Sequence, residues 1–289
     1  MIQDILVTGL VNGGVYALLA IGFSLIFGVA RIVNIAHTAF YMLAAYSFYT
    51  LLVRAEMGFA LAGIVSVAAV VALSVLCYKL VIEPVREHES AVLIATIALA
   101  LIFQELMLLA YGGNYLGIPS TLEGVLILFG VSIPYQRLLI LAVAAAMLAA
   151  TWFLLYRTRL GLAIRATAND LEVANLMGMN VERVAMATVG ISVALAAVAG
   201  VVVAPVFVVD PFMWLSPLVT MLAIVVLGGL GSLKGSLIGA LIIGYVEAIT
   251  VFALPAGAFL KGAVALTIMV VVLLARPEGL FGVAFEEER

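Results

Sequence analysis

Apolar stretches separated by short polar segments recur along the whole chain. They predict membrane spans near residues 5–29, 37–53, 58–81, 91–111, 135–156, 184–208, 215–229, 236–254 and 259–275. A stretch of roughly 18 or more apolar residues is long enough to cross a hydrocarbon core about 30 Å thick. The pattern therefore predicts an all-α, polytopic integral membrane protein with eight or nine transmembrane helices, some of them broken, in a single transmembrane domain over residues 1–289.

Composition supports this class and excludes several others. Hydrophobic residues make up 66% of the 289 residues and charged residues 10%, whereas a soluble domain averages roughly 45–50% and about 25%. The net charge of −3 and the scattered basic residues give no nucleic-acid footprint. The sequence contains no G-x-x-x-x-G-K-[ST] phosphate loop and no Cys/His set with metal-ligand spacing. We therefore expect no catalytic residues and no metal site.

Interruptions occur in both halves of the chain. The segment 34–40 (NIAHTAF) interrupts the first half, and Gly228–Gly235 (GGLGSLKG) interrupts the second. Small residues three or four apart let membrane helices pack closely, whereas paired breaks are typical of duplicated transporters, in which free backbone groups line a solute cavity. Both interpretations stay open for Gly228, Gly229 and Gly231. The segment 112–134, rich in turn residues, predicts a short interfacial or re-entrant segment.

Basic residues predict the orientation of the spans. Four arginines lie in the loop 157–183, and Lys79 and Arg86 flank the loop two spans earlier. Lys and Arg in short loops are retained in the cytoplasm, so both loops are predicted to be cytoplasmic. Alternation along the chain then places 112–134, 209–214 and the N-terminus outside, and the C-terminal segment inside.

The loop 157–183 contains a short polar helix with recognisable ends. Asn169 is predicted as its N-cap, with Glu172 reaching back in a capping box. Asp170 lies in the first turn, where a carboxylate favours the helix dipole, and Gly178 occupies the position of a left-handed C′ residue. The predicted helix, Asn169–Gly178, is about 12 Å long at 1.5 Å per residue, which is too short to span.

One side of this helix is apolar. Its members are Leu171, Val173, Ala174, Leu176 and Met177. A helix of this length is marginal in water by itself, so it needs something to pack against. Either it packs on its own chain as an ordinary loop helix, or it docks into a groove of a soluble partner; physical reasoning leaves both open.

Polar residues within the spans are candidates for a solute path. Gln104 and Glu105 lie well inside the fourth span, where an ionised group costs roughly 2.5–3.5 kcal/mol on insertion scales, so they should face the bundle interior, a partner subunit or water. Glu247 and Lys261 are predicted to pair and neutralise each other. The other path candidates are Asn12 and Tyr16, which share a helix face, and Asn34, His37 and Thr38 at the first interruption. A His at such a position also serves as a cap or a structural hydrogen-bond partner.

Four segments carry a resemblance to a known family. They are GLVNGGVYALLAIGFSLIFGVARIVNIAHTAFYMLAAY (9–46), TRLGLAIRATANDLEVANLMGMNV (158–181), GGLGSLKGSLIGALIIG (228–244) and ARPEGLFG (275–282). In this order they resemble the membrane permease of high-affinity branched-chain amino-acid ABC importers, a family that also includes permeases for urea, short amides and related solutes. The family commonly has Gly and then Glu after its N-x-A-H motif, where this chain has Thr38 and Ala39. That difference bears on which solute is carried.

The resemblance implies a permease subunit of an ATP-driven importer that moves branched-chain or other apolar amino acids inward across the cytoplasmic (inner) membrane of a bacterium. In such permeases the segment matching 165–178 is the cytoplasmic coupling helix, which inserts into a cleft of the ATPase. The implied coupling residues are Arg165, Asn169, Asp170, Leu171, Glu172, Ala174, Leu176, Met177 and Gly178. The expected partners are a second homologous permease, two cytoplasmic ATPases that hold ATP and Mg, an extracytoplasmic solute-binding protein and membrane lipid. No cofactor is expected in this chain.

The residues also permit a different class of protein, an ion-coupled secondary transporter or a channel for small solutes such as urea or amides. In that hypothesis Glu105 and Glu247 would carry protons or cations. A purely structural scaffold would account for neither the helix breaks nor the capped cytoplasmic helix.

Overall fold

The computed structural model describes residues 2–119, 122, 124–128 and 131–281. Most of these residues are helical. The helices are α1 (Ile2–Ala30), α2 (His37–Tyr49), α3 (Phe59–Cys77), α4 (Glu89–Tyr111), α5 (Tyr135–Arg157), α6 (Arg159–Asn169), α7 (Leu171–Leu176), α8 (Val181–Val203), α9 (Leu215–Gly228), α10 (Leu233–Ala253) and α11 (Gly257–Ala275). Two strands, β1 (Val125–Leu128) and β2 (Val131–Pro134), form an antiparallel pair.

The helices confirm the predicted all-α, polytopic class. Seven helices within the described ranges are long and apolar enough to cross a membrane: α1, α3 with its continuation to Val85, α4, α5, α8, α10 and α11. Helices α2 and α9 are shorter, at 13 and 14 residues, and α2 continues as a π-helical turn over Thr50–Arg54. The predicted number of eight or nine spans is therefore not confirmed by length and composition.

Contacts between loops show which helix ends lie together at each of the two ends of the bundle. At one end, Nη2 of Arg31 donates to the carbonyl oxygen of Ala168 at 3.3 Å. At the other end, Leu116 and Val209 exchange two backbone hydrogen bonds of 3.0 Å. The segment 112–134 therefore lies at the same end as the loop that precedes α9, as the predicted topology requires.

Basic residues are concentrated at one of these ends. Among the described residues, nine lie at or near the end that contains Ala168, which we call the basic end: Arg31, Lys79, Arg86, Arg157, Arg159, Arg165, Arg183, Lys234 and Arg276. Three lie toward the opposite end: Arg54, Arg137 and Lys261. Because basic residues in short loops are retained in the cytoplasm, we assign the basic end to the cytoplasm and name the opposite end the outer end.

The centre of the bundle is the packing of α1 against α10, and α8 also packs against α1. Glycines bring the α1 and α10 backbones together, since a Cβ at Gly244 would lie 2.7 Å from Gly13 Cα. The hydroxyls of Ser24 and Ser236 add a buried hydrogen bond of 2.6 Å between the same helices. Small residues permit this approach in a bilayer, where close packing and interhelical hydrogen bonds hold helices together.

The segment 112–134 contains paired strands within its described residues. Val125 pairs with Pro134 and Leu126 with Ile133, whereas the interfacial or re-entrant position of the segment stays a prediction. Pairing two short stretches rich in β-branched residues satisfies their backbone groups without a helix. β2 leads directly into α5 at the outer end. Counting glycines and prolines indicates a break in the helices but does not reveal this pairing.

Candidate transport cavity and coupling surface

A cavity of about 570 Å³ lies in the outer half of the bundle, with lining residues from α1, α2, α5, α8, α9, α10 and α11 and from the segment between α8 and α9. Its polar lining consists of Thr8, Asn12, Tyr16, Tyr41, Arg137, Ser216 and Lys261. Most of the remaining lining is aliphatic and includes Val11, Val15 and Leu19 of α1. A largely apolar wall with a few convergent polar groups is typical of a small-solute site.

Asn12 and Tyr16 both line this cavity, and their spacing of one helical turn places them on the same face of α1. Behind the lining, the Tyr16 hydroxyl donates to Glu247 Oε2 at 2.7 Å. Glu247 is only 1% exposed, so this bond replaces part of the hydration that the carboxylate has lost. The hydrogen-bond donor to Glu247 is Tyr16, and the pairing of Glu247 with Lys261 stays a prediction.

Gln104 and Glu105 are adjacent on α4 but have different surroundings. Trp214 Nε1 donates to Gln104 Oε1 at 3.0 Å in a buried contact. Gln104 Nε2 donates to Glu105 Oε1 at 3.4 Å, while Glu105 itself is exposed. Gln104 therefore faces the bundle interior, as expected, and Glu105 faces away from it. Neither residue belongs to the cavity lining described above.

The first interruption joins α1 to α2 near the basic end. Its three path candidates, Asn34, His37 and Thr38, are all buried and lie outside the cavity lining. His37 Nδ1 lies 3.5 Å from Ser192 Oγ, which in turn donates to the carbonyl oxygen of Gly22 at 2.6 Å. Asn34 Oδ1 and Thr38 Oγ1 have no hydrogen-bond partner among the described residues. Their role in solute passage stays a prediction.

The second interruption forms the turn between α9 and α10 at the basic end. Gly229 and Gly231 have φ angles of 98° and 79°, a left-handed backbone that glycine adopts without steric cost. The amide of Phe281 donates to the carbonyl oxygen of Gly228 at 3.1 Å. This carbonyl group is therefore hydrogen-bonded within the chain, whereas the solute-cavity interpretation requires it to be free. The three glycines are not part of the cavity lining. Gly282, the last residue of the 275–282 motif, lies outside the described residues.

The predicted coupling helix is shorter than expected and begins later. Asn169 is the last residue of α6 rather than an N-cap. Asp170 is the N-cap of α7, and its Oδ1 accepts from the amide of Val173 at 3.0 Å. The capping box between Asn169 and Glu172 is therefore wrong, because Asn and Asp are equally good caps and the sequence does not show where α6 ends. Gly178 has a φ of 80°, as its predicted C′ position requires.

The apolar side of α7 is uncovered at the basic end. Leu176 is 85% exposed and Met177 77% exposed, and Leu171 and Val173 are exposed as well. We name these four residues the coupling surface. Ala174 is 2% exposed, so it packs on its own chain and is not available to a partner. The buried Ala174 supports packing of α7 on its own chain, whereas docking of the exposed residues into a partner stays a prediction.

Arg165 on α6 contacts two neighbouring residues of α5. Its Nε donates to the carbonyl oxygen of Leu155 at 3.1 Å, and its guanidinium lies 4.9 Å from the centre of the Tyr156 ring, within the range of a cation–π contact. A second connection runs to α1 through the hydrogen bond from Arg31 to Ala168. α6 therefore links the coupling surface to α5 and to α1, the helix whose outer half lines the cavity.

Comparison with known proteins identifies the family of this chain. Residues 5–273 match the family model described as "Branched-chain amino acid transport system / permease component". The chain belongs to this permease family. The high-affinity branched-chain amino acid transport system permease protein LivH of Escherichia coli K12 is 32% identical, with 95% of this chain and 93% of the relative covered. The corresponding protein BraD of Pseudomonas aeruginosa is also 32% identical, with 96% and 94% covered.

A solved structure is similar to the permease in fold. The structure of PsaBC from Streptococcus pneumoniae in complex with Fab matches with a TM-score of 0.55 at 14% identity, covering 95% of the permease and 92% of that chain. At this identity the match supports the fold alone. Family and fold together make the permease a multi-pass membrane transport protein and not a catalytic enzyme.

Of the polar residues that line the permease's cavity, the sequence predicts only Asn12 and Tyr16 as part of a solute path. It does not place Arg137 or Lys261 there, although a signal exists: both are basic residues near the outer end, where the positive-inside rule disfavours them. Tyr41 and Ser216 carry no comparable signal, because only the packing of the helices brings them to the cavity.

Proposed function

We propose that the permease is the membrane subunit of an ATP-driven ABC importer that moves branched-chain or other apolar amino acids inward across the cytoplasmic membrane of a bacterium. The observation that carries this proposal is the coupling surface, an apolar helix side that the described residues leave uncovered at the basic end. The names of the relatives, which specify branched-chain amino acid transport, support the solute class.

The coupling surface is too apolar to be favourable in water. Fully burying a Leu, Val or Met side chain contributes about 1.5–3 kcal/mol, and Leu176 and Met177 are almost entirely uncovered. α7 has six residues, whereas an isolated helix is marginal in water even at about 12–15 residues. Docking of α7 into a partner's groove would both bury these side chains and stabilise the helix. An ATPase is the partner that an importer requires, because this chain has no phosphate loop of its own.

A second homologous permease and two cytoplasmic ATPases complete the proposed complex. In a two-fold arrangement each permease presents one coupling surface to one ATPase, and ATP and Mg are held by the ATPases. An extracytoplasmic solute-binding protein delivers the amino acid to the outer end, where the cavity lies. Exposed side chains of the outlying helices, such as Ile64, Leu109 and Leu274, contact lipid or the second permease.

In this mechanism α6 transmits the movement caused by ATP binding from the ATPases to the cavity. Closure of the ATPases moves α7 together with the groove that holds it. α6 passes this movement to α1 through the contact of Arg31 with Ala168. Because α1 lines the cavity, tilting α1 reshapes the cavity and favours the outward-open state. The free energy available for this change is limited by how differently nucleotide and solute-binding protein bind the two states.

The test is whether the coupling surface is needed for ATPase binding. Leu171→Asp combined with Leu176→Asp would place charges inside the proposed groove, so we expect co-purification with the partner ATPases to fall at least about tenfold, together with ATP-dependent uptake. Membrane insertion and thermal stability should not change, because both side chains are exposed in the permease.

Tyr115→Asp is the matched control. Tyr115 is 79% exposed but lies at the outer end, so this variant should retain ATPase binding and uptake. Wild-type co-purification by the Leu171→Asp, Leu176→Asp variant would count against the proposed docking.

A further inference from the structure

We propose that the 570 Å³ cavity is a binding site for one zwitterionic amino acid within a single permease chain. The solute carboxylate lies against Arg137 and Lys261, and the ammonium group lies against Asn12 and Tyr16. The aliphatic side chain of the solute packs on the apolar residues of α1. The class of solute rests on the proposed function, whereas the place and polarity of the site rest on the lining residues.

Two cations give the cavity its polarity. Arg137 and Lys261 are the charged residues of the described lining, which contains no acid. Arg137 Nη1 donates to Thr8 Oγ1 at 3.3 Å, which holds the guanidinium against α1, and a guanidinium has five N–H donors in all. A guanidinium fork and an ammonium that line the same cavity suit a carboxylate. The cavity therefore favours a ligand with an anionic group.

Two other lining residues, Asn12 and Tyr16, suit a positively charged amine. Asn12 contributes an amide oxygen to the lining, and the Tyr16 hydroxyl stands one turn further along α1. Glu247 lies behind Tyr16 and accepts its hydrogen bond at 2.7 Å. The Glu247 carboxyl group is thus one side chain away from the lining, and donation to it polarises the hydroxyl oxygen as an acceptor. The amide oxygen of Asn12 and the hydroxyl oxygen of Tyr16 can both accept hydrogen bonds from an ammonium group.

The remaining lining suits an aliphatic side chain. Val11, Val15 and Leu19 present a continuous apolar stripe at spacings of four residues along α1. Moving an aliphatic side chain from water onto this stripe is favourable. The complete set of groups distinguishes an apolar amino acid from urea or a short amide, which have no carboxylate for the two cations and no aliphatic side chain for the stripe.

Cysteine labelling tests the polarity of the cavity. Cys77 is the chain's only cysteine, so Cys77→Ala gives a cysteine-free background in which Ser216→Cys places one thiol in the cavity. In nanodiscs without ATPases, a sulfonate-bearing methanethiosulfonate should label this thiol at least about tenfold faster than a trimethylammonium-bearing one. Arg137→Gln with Lys261→Gln should remove the preference. Tyr115→Cys, exposed at the same end and outside the cavity, is the control and should show no comparable preference.

Protection from labelling tests the ligand. The probes are L-leucine, leucinamide, which lacks the carboxylate, and 4-methylpentanoate, which lacks the amine. We expect leucine to protect the Ser216→Cys thiol at the lowest concentration, by about tenfold relative to either analogue. Lys261→Gln should abolish the advantage of leucine over leucinamide, and Lys261→Arg should retain it. Glu247→Gln should reduce the advantage of leucine over 4-methylpentanoate in protecting the thiol.

Equal labelling by the two reagents, or equal protection by the three compounds, would overturn the proposed site. Both measurements are first made with Arg137, Lys261 and Glu247 intact, so they stay decisive even where a variant does not fold. Neither uses an ATPase. Protection by leucine together with normal ATPase binding by the coupling-surface variant would support the site and reject the proposed docking. Loss of ATPase binding without leucine protection would reject the site alone.

Discussion

The hydroxyl of Tyr16 on α1 lies 2.7 Å from Glu247 Oε2 on α10, so a single hydrogen bond ties a cavity wall to the centre of the bundle. Tyr16→Phe removes the donor and leaves a buried acceptor behind. We expect a loss of about 1–3 kcal/mol in the free energy of unfolding, because a buried group without its partner bears its full desolvation cost. Thermal denaturation in nanodiscs, followed by tryptophan fluorescence, measures this loss.

Tyr115→Phe controls for the loss of a hydroxyl, because Tyr115 is 79% exposed. Glu247→Gln keeps an acceptor for Tyr16 and should destabilise less than Tyr16→Phe. Equal melting temperatures for the Tyr16→Phe and Tyr115→Phe variants would show that the hydrogen bond contributes nothing to stability.

Gly13 and Gly244 set the separation of α1 and α10. The methyl group of Gly244→Ala would lie 2.7 Å from Gly13 Cα, and overpacking of this kind typically costs about 1–3 kcal/mol. We therefore expect a lower melting temperature. Gly262→Ala on α11 is the matched control, because nothing lies within 4 Å of the added methyl group and alanine favours a helix over glycine. Similar melting temperatures for the two variants would contradict close packing of α1 on α10.

Gly178 follows the end of α7 with a φ of 80°, and a Cβ there would meet nothing within 4 Å. Only the backbone conformation therefore opposes a substitution. Gly178→Val should cost at least about 1–2 kcal/mol, displace the end of the coupling surface and reduce ATP-dependent uptake. Gly178→Asn should retain most uptake, since Asn tolerates the left-handed region.

Gly117→Val separates strain from added bulk. Gly117 also has open space around it but does not have a positive φ, so this variant should transport normally. Uptake by reconstituted complexes is the measurement. Full activity of Gly178→Val would show that the shape of the helix end is unimportant.

Glu105 distinguishes ATP-driven from ion-coupled transport. It is exposed on α4 and is not in the cavity lining, so Glu105→Gln should retain uptake with an unchanged pH profile. Uptake of labelled leucine from pH 5 to pH 8 provides the measurement. A pH dependence that disappears in the variant would favour the ion-coupled hypothesis, in which this carboxylate carries the proton.

The sequence determined the membrane class and the approximate positions of most helices, and it predicts the side of each loop. These features follow from local composition, because crossing a bilayer requires length and apolarity and orientation depends on nearby basic residues. It also identified the left-handed Gly178 and the shared face of Asn12 and Tyr16, since both depend on spacing within one helix. Where two local signals compete, as Asn169 and Asp170 do for the N-cap, the sequence alone gave the wrong choice.

Only the tertiary structure decided which residues meet across helices. Tyr16 and Glu247 are far apart in sequence, and nothing local to either indicates the other. The same holds for Arg137 and Thr8. In a membrane every span is apolar on most sides, so the hydrophobic pattern that identifies the buried face of a soluble helix carries little information. Close packing and individual hydrogen bonds select the neighbours instead, and these depend on the complete fold.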